Sequence, residues 1–446
     1  MIWNLVILII VLLLLILMVS KWKVHPFAAL LVAAITLGFA LGMGGQKTIA
    51  VLLEGFSKTL KWIAIVVILG AFIGEVLRET GGAFRIANGI MNWVGEKRIS
   101  WAMGITGYIV SIPVFVDVAY IVLQPVTEAL AGRSKKPILV VGLALTAGLT
   151  VSHTLLPPTP GPLAVASLLD ADIGRLILIN GFVGIFAMIG GILWVTRFCK
   201  DYRIDYDNEI EKRVTIKMNE EPGSDSGLLV WMDLLPIIIP ILLMASGTVA
   251  NNDSILWIDQ VLSFVSIPLV AVLVGAVVAL VQYALKRESG RSSISQLVDQ
   301  AITKSALVIM ITGAGGAFGY VIRESGIQDS LSAFFVALPW LGFLLPFLIA
   351  AVLTTATGSI TVSLIGTASI IGPLVSTMNY SPEIIAALIG SGAFCVFHAN
   401  SSFFWLLQRL HKVPLAVLYR TYTMQSLVMG ISGLIAILIL ISLGIH

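Results

Sequence analysis

Charge is what this chain has least of. Only 11% of its 446 residues are Asp, Glu, Lys or Arg, where soluble domains carry about 25%. Hydrophobic residues make up 58%, and the mean hydropathy is +1.01. A soluble globular domain is excluded, and the chain reads as an all-α polytopic protein whose surroundings are a lipid bilayer. Cysteine is scarce too. Cys199 and Cys395 cannot form a disulfide framework and sit in no metal-type spacing. No phosphate loop, metal cluster or dinucleotide fingerprint occurs, so the sequence calls for no cofactor, no nucleic acid and no ATP-driven cycle. The run from Leu5 to Val19 has no basic region before it and no small-residue cleavage site after it. It reads as an uncleaved first span.

What the chain does have is a proline-rich interruption inside apolar sequence, from His153 to Pro162 (His-Thr-Leu-Leu-Pro-Pro-Thr-Pro-Gly-Pro). Each proline removes a backbone donor and clashes with the preceding turn, so a helix cannot continue through it. At bilayer depth, unwound backbone survives only where it is buried in protein or lines a cavity. Interrupted helices of this kind point to the binding site of a secondary transporter.

A bilayer-crossing helix needs about 20 apolar residues, which gives candidate spans near 3–20, 25–43, 61–77, 137–169 and 176–197 in the first half. The second half offers spans near 229–248, 260–285, 305–322, 383–408 and 415–443. Residues 198–228 form the long polar stretch between them. If the first residues face outward, all of the 27 Lys and Arg except Lys47, Lys58, Lys61, Arg175 and Arg323 lie in cytoplasmic segments. That assignment requires 99–130 to enter and leave on one side, because Lys97-Arg98 and Lys135-Lys136 both belong inside. The segment is therefore read as a re-entrant hairpin with its tip near Ser111–Asp117. By the same logic 339–375 is a hairpin entering from outside, with its tip near Thr357–Thr361.

Each half then holds five transmembrane helices, one re-entrant hairpin and one broken helix. The sequence carries traces of a duplication. Gly74-Glu75-Val76-Leu77-Arg78-Glu79-Thr80-Gly81 matches Gly319-Tyr320-Val321-Ile322-Arg323-Glu324-Ser325-Gly326, and the same separation pairs His153 with His398. The expected organisation is a first inverted repeat over 1–197, a cytoplasmic linker over 198–228 and a second inverted repeat over 229–446.

Several of these stretches carry a family likeness. Gly81-Gly82-Ala83, Ile112–Asp117, His153–Pro162, Gly313–Gly319 and the Phe404-Trp405 end of 398–405 resemble the gluconate permease family in order and spacing. The resemblance covers essentially the whole chain. It implies a symporter of the bacterial inner membrane that takes up gluconate or a related small sugar or hydroxy acid together with protons. It also implies kinship to the ion-transporter superfamily, in which substrate lies between two hairpin tips and two broken helices. The chain departs from the family at two places. Thr159 stands where members often have His in Pro-Pro-His-Pro-Gly-Pro, and Ser401-Ser402 stands where they often have Asp-Ser.

The expected substrate site draws on both halves: Ser111, Asp117, His153, Thr154, Thr159 and Gly161 from the first, and Thr357, Gly358, Ser359, Thr361, His398, Asn400, Ser401 and Ser402 from the second. Half-helix N-termini at such breaks favour an anion, and the hydroxyls suit a polyol chain. The same Ser and Thr can equally serve as small residues that pack helices. Asp117, an acid within an apolar hairpin, is a coupling or substrate-contact candidate. Glu75 either pairs with Arg78 or takes part in coupling. His153 and His398 either carry a proton or cap their broken helices as neutral rings. His25, His411 and His446 read as surface or terminal residues.

Other functions compete. Sodium coupling with a carboxylate or a D-serine-like amino acid as cargo is one alternative, and a passive channel another. A hydrolase built on His153 finds neither an acidic orienter nor a nucleophile elbow, so no enzyme is expected. The sequence leaves the oligomeric state open, a homo-oligomer included.

Overall fold

A computed structural model describes residues 2–199, 202, 227–247, 256–285, 292–326, 339–399 and 401–445. Most of the 198–228 linker, Asn400 and His446 fall outside the described residues. Those that are described form helices and turns with no strand. Seven helical runs among them are long and apolar enough to cross a bilayer.

The first half opens with α1 (Ile2–Ser20) and α2 (Pro26–Ala40). Pro26 occupies the first turn of α2, and the exposed His25 accepts the Phe27 N–H at 3.3 Å, a side-chain cap at a helix start. The next helix, α3 (Gly45–Glu79), extends well before the span expected at 61–77. Its early turns stay helical although polar, with Glu54 and Lys58 pairing at 2.7 Å one turn apart. The segment between α3 and Ile99 is largely helical. Gly81, at φ +69°, turns the chain into α4 (Gly82–Val94). Ala83, Ile86, Ala87, Ile90 and Met91 bury one face of α4, and Arg85 is clamped by both oxygens of Asp233 at 2.6 and 2.9 Å.

Helices α5 (Ile99–Val110) and α6 (Val116–Ser134) flank a turn at Ser111–Phe115. They are followed by α7 (Ile138–Leu155), α8 (Pro160–Leu169) and α9 (Ile173–Phe198). Every residue of α7 is buried. Helix α5 runs parallel to it: Gly104 faces Ala144 and Gly148, while Gly107 faces Leu145 and Leu149. Glycine is required at this crossing, because a Cβ on Gly148 would stand 1.9 Å from the Gly104 carbonyl oxygen. Since α5 and α7 start at the same end, α6 leads the chain back to the end where α5 began.

The second half contains α10 (Gly227–Ser246), α11 (Leu256–Val265), α12 (Pro268–Leu285) and α13 (Ile294–Glu324). Helix α13 starts in a full capping box between Ser293 and Gln296. It crosses α3 antiparallel, with Gly55 against Gly316 and Tyr320, and Glu75 against Lys304. Small residues let the two backbones approach where no hydrophobic force separates protein from lipid. The chain closes with α14 (Pro339–Thr357), α15 (Ile360–Ile371), α16 (Pro382–Ala393), α17 (Ser402–His411) and α18 (Leu415–Ser442), the last with a π turn at Tyr419–Thr423. Helix α15 folds back along α14, and Ser363 Oγ donates to the Ala350 carbonyl at 2.6 Å.

Candidate functional site

The first interruption lies where the proline chemistry puts it, and it is short. Helix α7 holds through Leu155, past His153 and Thr154. Four residues then break it, and α8 restarts at Pro160, a position where proline's fixed φ and missing N–H suit a first turn. The Pro157–Pro158 peptide is cis. Asn180 of α9 donates to the Leu155 carbonyl at 2.9 Å, which satisfies a carbonyl orphaned by the break.

The first turn and the first break meet. Pro113, Val114 and Phe115 of the α5–α6 turn line a small cavity with His153, Pro158, Thr159 and Pro160, and Gly70 and Ala71 of α3 close it. The Phe115 and His153 rings sit 5.6 Å apart between centroids. Gly74 is tied to this contact, since a Cβ there would stand 2.4 Å from the Pro113 carbonyl oxygen. His153 is 8% exposed, and its Nδ1 has no hydrogen-bond partner among the described residues.

The second turn and the second break also meet. His398 Nε2 lies 2.9 Å from the Thr355 carbonyl in the last turn of α14, and Thr354 Oγ1 donates to the Ala393 carbonyl at 2.7 Å. Between the halves, α8 packs on α15, with Gly161 facing Leu364. Helix α6 meets α17 through Tyr120, whose Oη lies 2.5 Å from His411 Nε2.

Several sequence-derived candidates already have partners. Ser111 Oγ donates to the Val114 carbonyl at 3.0 Å and closes its own turn. Thr154 and Thr357 donate one helical turn back, at 2.6 and 2.7 Å, and Thr159 donates to the Leu156 carbonyl. Each hydroxyl keeps acceptor capacity. Ser359 caps α15 by accepting the Val362 N–H at 3.3 Å, with Gly358 before it at φ +72° and Thr361 in the first turn after it. Ser401 is buried and Ser402 exposed at the start of α17. Asp117 is exposed in the first turn of α6. Glu75 lies away from the cavity lining. Its carboxylate is 5% exposed and is held by Arg78 Nε at 3.0 Å and by Lys304. Arg78 also reaches Gln300 on α13 at 3.0 Å, so it ties α3 to α13.

The assignment of His411 to the surface does not hold. It is 3% exposed, buried by a partner residue far away in sequence. Gly70, Ala71, Asn180, Tyr120 and Tyr422 lie outside the motifs that mark candidate residues in the sequence. Of these only Asn180, a polar side chain within an apolar helix, offered a signal.

The GntP family permease profile matches residues 3–444. A permease of uncharacterised substrate from Haemophilus influenzae is 33% identical, covering 88% of this chain and 83% of its own. A gluconate permease of Pseudomonas aeruginosa is 30% identical over 95% of this chain and 94% of its own. The Gnt-II system L-idonate transporter of Escherichia coli is 31% identical, with 94% of each chain covered. Among solved structures, the Neisseria gonorrhoeae MtrF efflux pump superposes with a TM-score of 0.69 at 15% identity, covering 95% of this chain and 96% of its own. The Alcanivorax borkumensis YdaH transporter superposes with a TM-score of 0.66 at 16% identity, covering 94% and 99%. These two share the fold. The chain is thus a multi-pass protein of the bacterial inner membrane and a permease, not an enzyme, and it belongs to the GntP family.

Proposed function

We propose that the chain takes up gluconate or a closely related small sugar acid across the inner membrane in symport with protons. The observation that carries this reading is the junction of the Pro113–Phe115 turn with the His153–Pro160 break around an unpartnered His153 Nδ1, in a permease whose relatives are named for gluconate and L-idonate. A sugar acid brings one carboxylate and several hydroxyls. Helices α6 and α17 start without a side-chain cap, so their first N–H groups remain for a carboxylate, aided by the helix dipole; α8 adds only the Gly161 N–H, since Pro160 and Pro162 have none. A substrate hydroxyl is a suitable donor to His153 Nδ1. In this reading Ser111, Thr154, Thr159, Gly161, Thr357, Gly358, Ser359, Thr361, His398, Asn400, Ser401 and Ser402 wall the substrate, and Asp117 and His153 are the proton-coupling groups. Glu75 is the weaker coupling candidate, because Arg78 and Lys304 already neutralise it.

The architecture in this proposal is an inverted repeat, 1–197 and 229–446, joined by a cytoplasmic linker at 198–228. The pairing of helices supports it. Helix α2 packs on α13 as α12 packs on α3, and α5 packs on α7 as α14 packs on α16. The return of α6 to the end where α5 began supports a re-entrant hairpin.

Proteoliposomes loaded at different pH and sodium values test the function with labelled gluconate. Accumulation above equilibrium under an inward proton gradient is the expected result. Accumulation driven by sodium alone overturns proton coupling. Equilibration without accumulation overturns active transport, and competition by D-serine rather than by L-idonate overturns the substrate class.

A further inference from the structure

We propose that Lys97, Arg98, Lys135 and Lys136 form a docking edge for the anionic phospholipid headgroups of the surrounding bilayer, with Trp93 as its anchor at the acyl boundary. The inference rests on the cytoplasmic placement of these segments in the preceding reading. Helix α4 buries one face and leaves Trp93 80% exposed. Gly95, at φ +84°, then bends the chain into a single tight turn, Glu96–Arg98, which leaves Lys97 and Arg98 exposed. Helix α6 ends at an exposed Lys135 with φ +54°. The two turns are held side by side, as Lys136 Nζ donates to the Lys97 carbonyl at 3.4 Å.

None of the four cations forms an ion pair among the described residues. Glu128, the acid nearest the C-terminal end of α6, accepts from Gln124 Nε2 at 3.0 Å. Partial burial pulls the Lys136 ammonium below its ordinary pKa, a penalty that a nearby anion offsets. The apolar helices α5 and α7 begin at Ile99 and Ile138, directly after these turns. The cations therefore stand where apolar spans end, at the depth of headgroups, and an aromatic side chain beside them favours the same depth. Juxtamembrane Lys and Arg attract anionic lipid by about fivefold in affinity per charge.

Native mass spectrometry of the purified protein in neutral detergent tests the edge, with phosphatidylglycerol titrated against phosphatidylcholine. Wild type should retain phosphatidylglycerol preferentially, Lys97→Gln and Lys135→Gln should each weaken retention about fivefold, and the fourfold Gln variant should lose the preference. Neutralising Lys47, Lys58 and Lys61 should leave it intact. Equal loss in that control, or full retention by the single and fourfold variants, overturns the proposal. So does displacement of the lipid by inorganic phosphate at the same concentration, which marks a free-anion site. Lipid retention is read without transport, so a failed uptake assay and a failed docking edge are separate outcomes.

Discussion

Between α7 and α8 the chain interrupts its helix with Leu156-Pro157-Pro158-Thr159, whereas between α16 and α17 the described residues of the interruption, Phe394–Ala399 and Ser401, include no proline. The first break is buried and held largely by covalent geometry, since proline cannot donate and has a fixed φ. The second is held by side chains from elsewhere. Ser426 Oγ accepts the Phe397 N–H at 2.9 Å, the Thr355 carbonyl meets His398, and Trp405 Nε1 donates to the Ala399 carbonyl at 2.7 Å. The hairpins differ too. The first turn of α6 carries Asp117, while the first turn of α15, Ile360-Thr361-Val362, carries no ionisable group. One half thus pairs a rigid break with a charge, and the other pairs a neutral turn with a break that can rearrange by exchanging hydrogen bonds. In the proposed function, coupling chemistry is assigned to the first half and adjustment to the cargo to the second.

The strongest test of that division is charge removal. Asp117→Asn imitates the protonated acid. It should keep gluconate exchange across proteoliposomes and lose proton-driven accumulation altogether. If the variant accumulates like wild type, Asp117 has no coupling role and the asymmetry of the hairpins means nothing for energy transfer. Next in size is a comparison of the paired histidines. His153→Leu removes the unpartnered Nδ1 from the cavity and leaves the substrate hydroxyl proposed to donate to it buried without a partner, a cost of about 1–3 kcal/mol, or roughly five- to a hundredfold in KM. His398→Leu removes a neutral bond to a backbone carbonyl, worth about 1 kcal/mol, or roughly fivefold. Equal effects would erase the difference between the two breaks.

Much of this was legible in the sequence, for identifiable reasons. The proline run announces itself because missing donors and ring clashes are local properties. The α5–α6 reversal followed from the placement of Lys97-Arg98 and Lys135-Lys136, since charge placement reports sidedness without knowledge of contacts. What was lost depended on distant partners. His411, next to Lys412 at the end of a span, looked like a surface residue until Tyr120 came to cover it. Asp233 gains its meaning from Arg85, and Glu75 from Lys304 on a helix of the other half. The hydroxyls of Thr154, Thr159 and Thr357 read from the sequence as substrate contacts or helix-packing groups, and each donates to its own chain. Only backbone geometry shows that.

A smaller effect belongs to the contact that joins the halves. Tyr120→Phe removes the hydroxyl facing His411 Nε2, and His411 Nδ1 is already without a partner among the described residues. The ring then has no hydrogen bond in a buried site, a loss of about 1–3 kcal/mol in unfolding free energy. Chemical denaturation in detergent should show it. If stability is unchanged, the pair does not fasten α6 to α17.

The smallest effect separates the two breaks by sign. Val396 in the second break has φ +59°, a left-handed conformation in which a β-branched side chain is strained. Replacing it by Ala or by Gly removes the same contacts, and only Gly relieves the backbone. Val396→Gly should therefore be more stable than Val396→Ala by about 1–2 kcal/mol, the cost of the left-handed region for a residue with a Cβ, less the larger unfolded-state entropy of glycine. Leu156 in the first break has φ −106°, an ordinary extended conformation. There the order should reverse, with Leu156→Ala more stable than Leu156→Gly by about 0.5–1 kcal/mol. Thermal unfolding of the four variants in one detergent reads both differences. If Ala exceeds Gly at both positions, the strained turn at Val396 is not populated, and the second break is no more adjustable than the first.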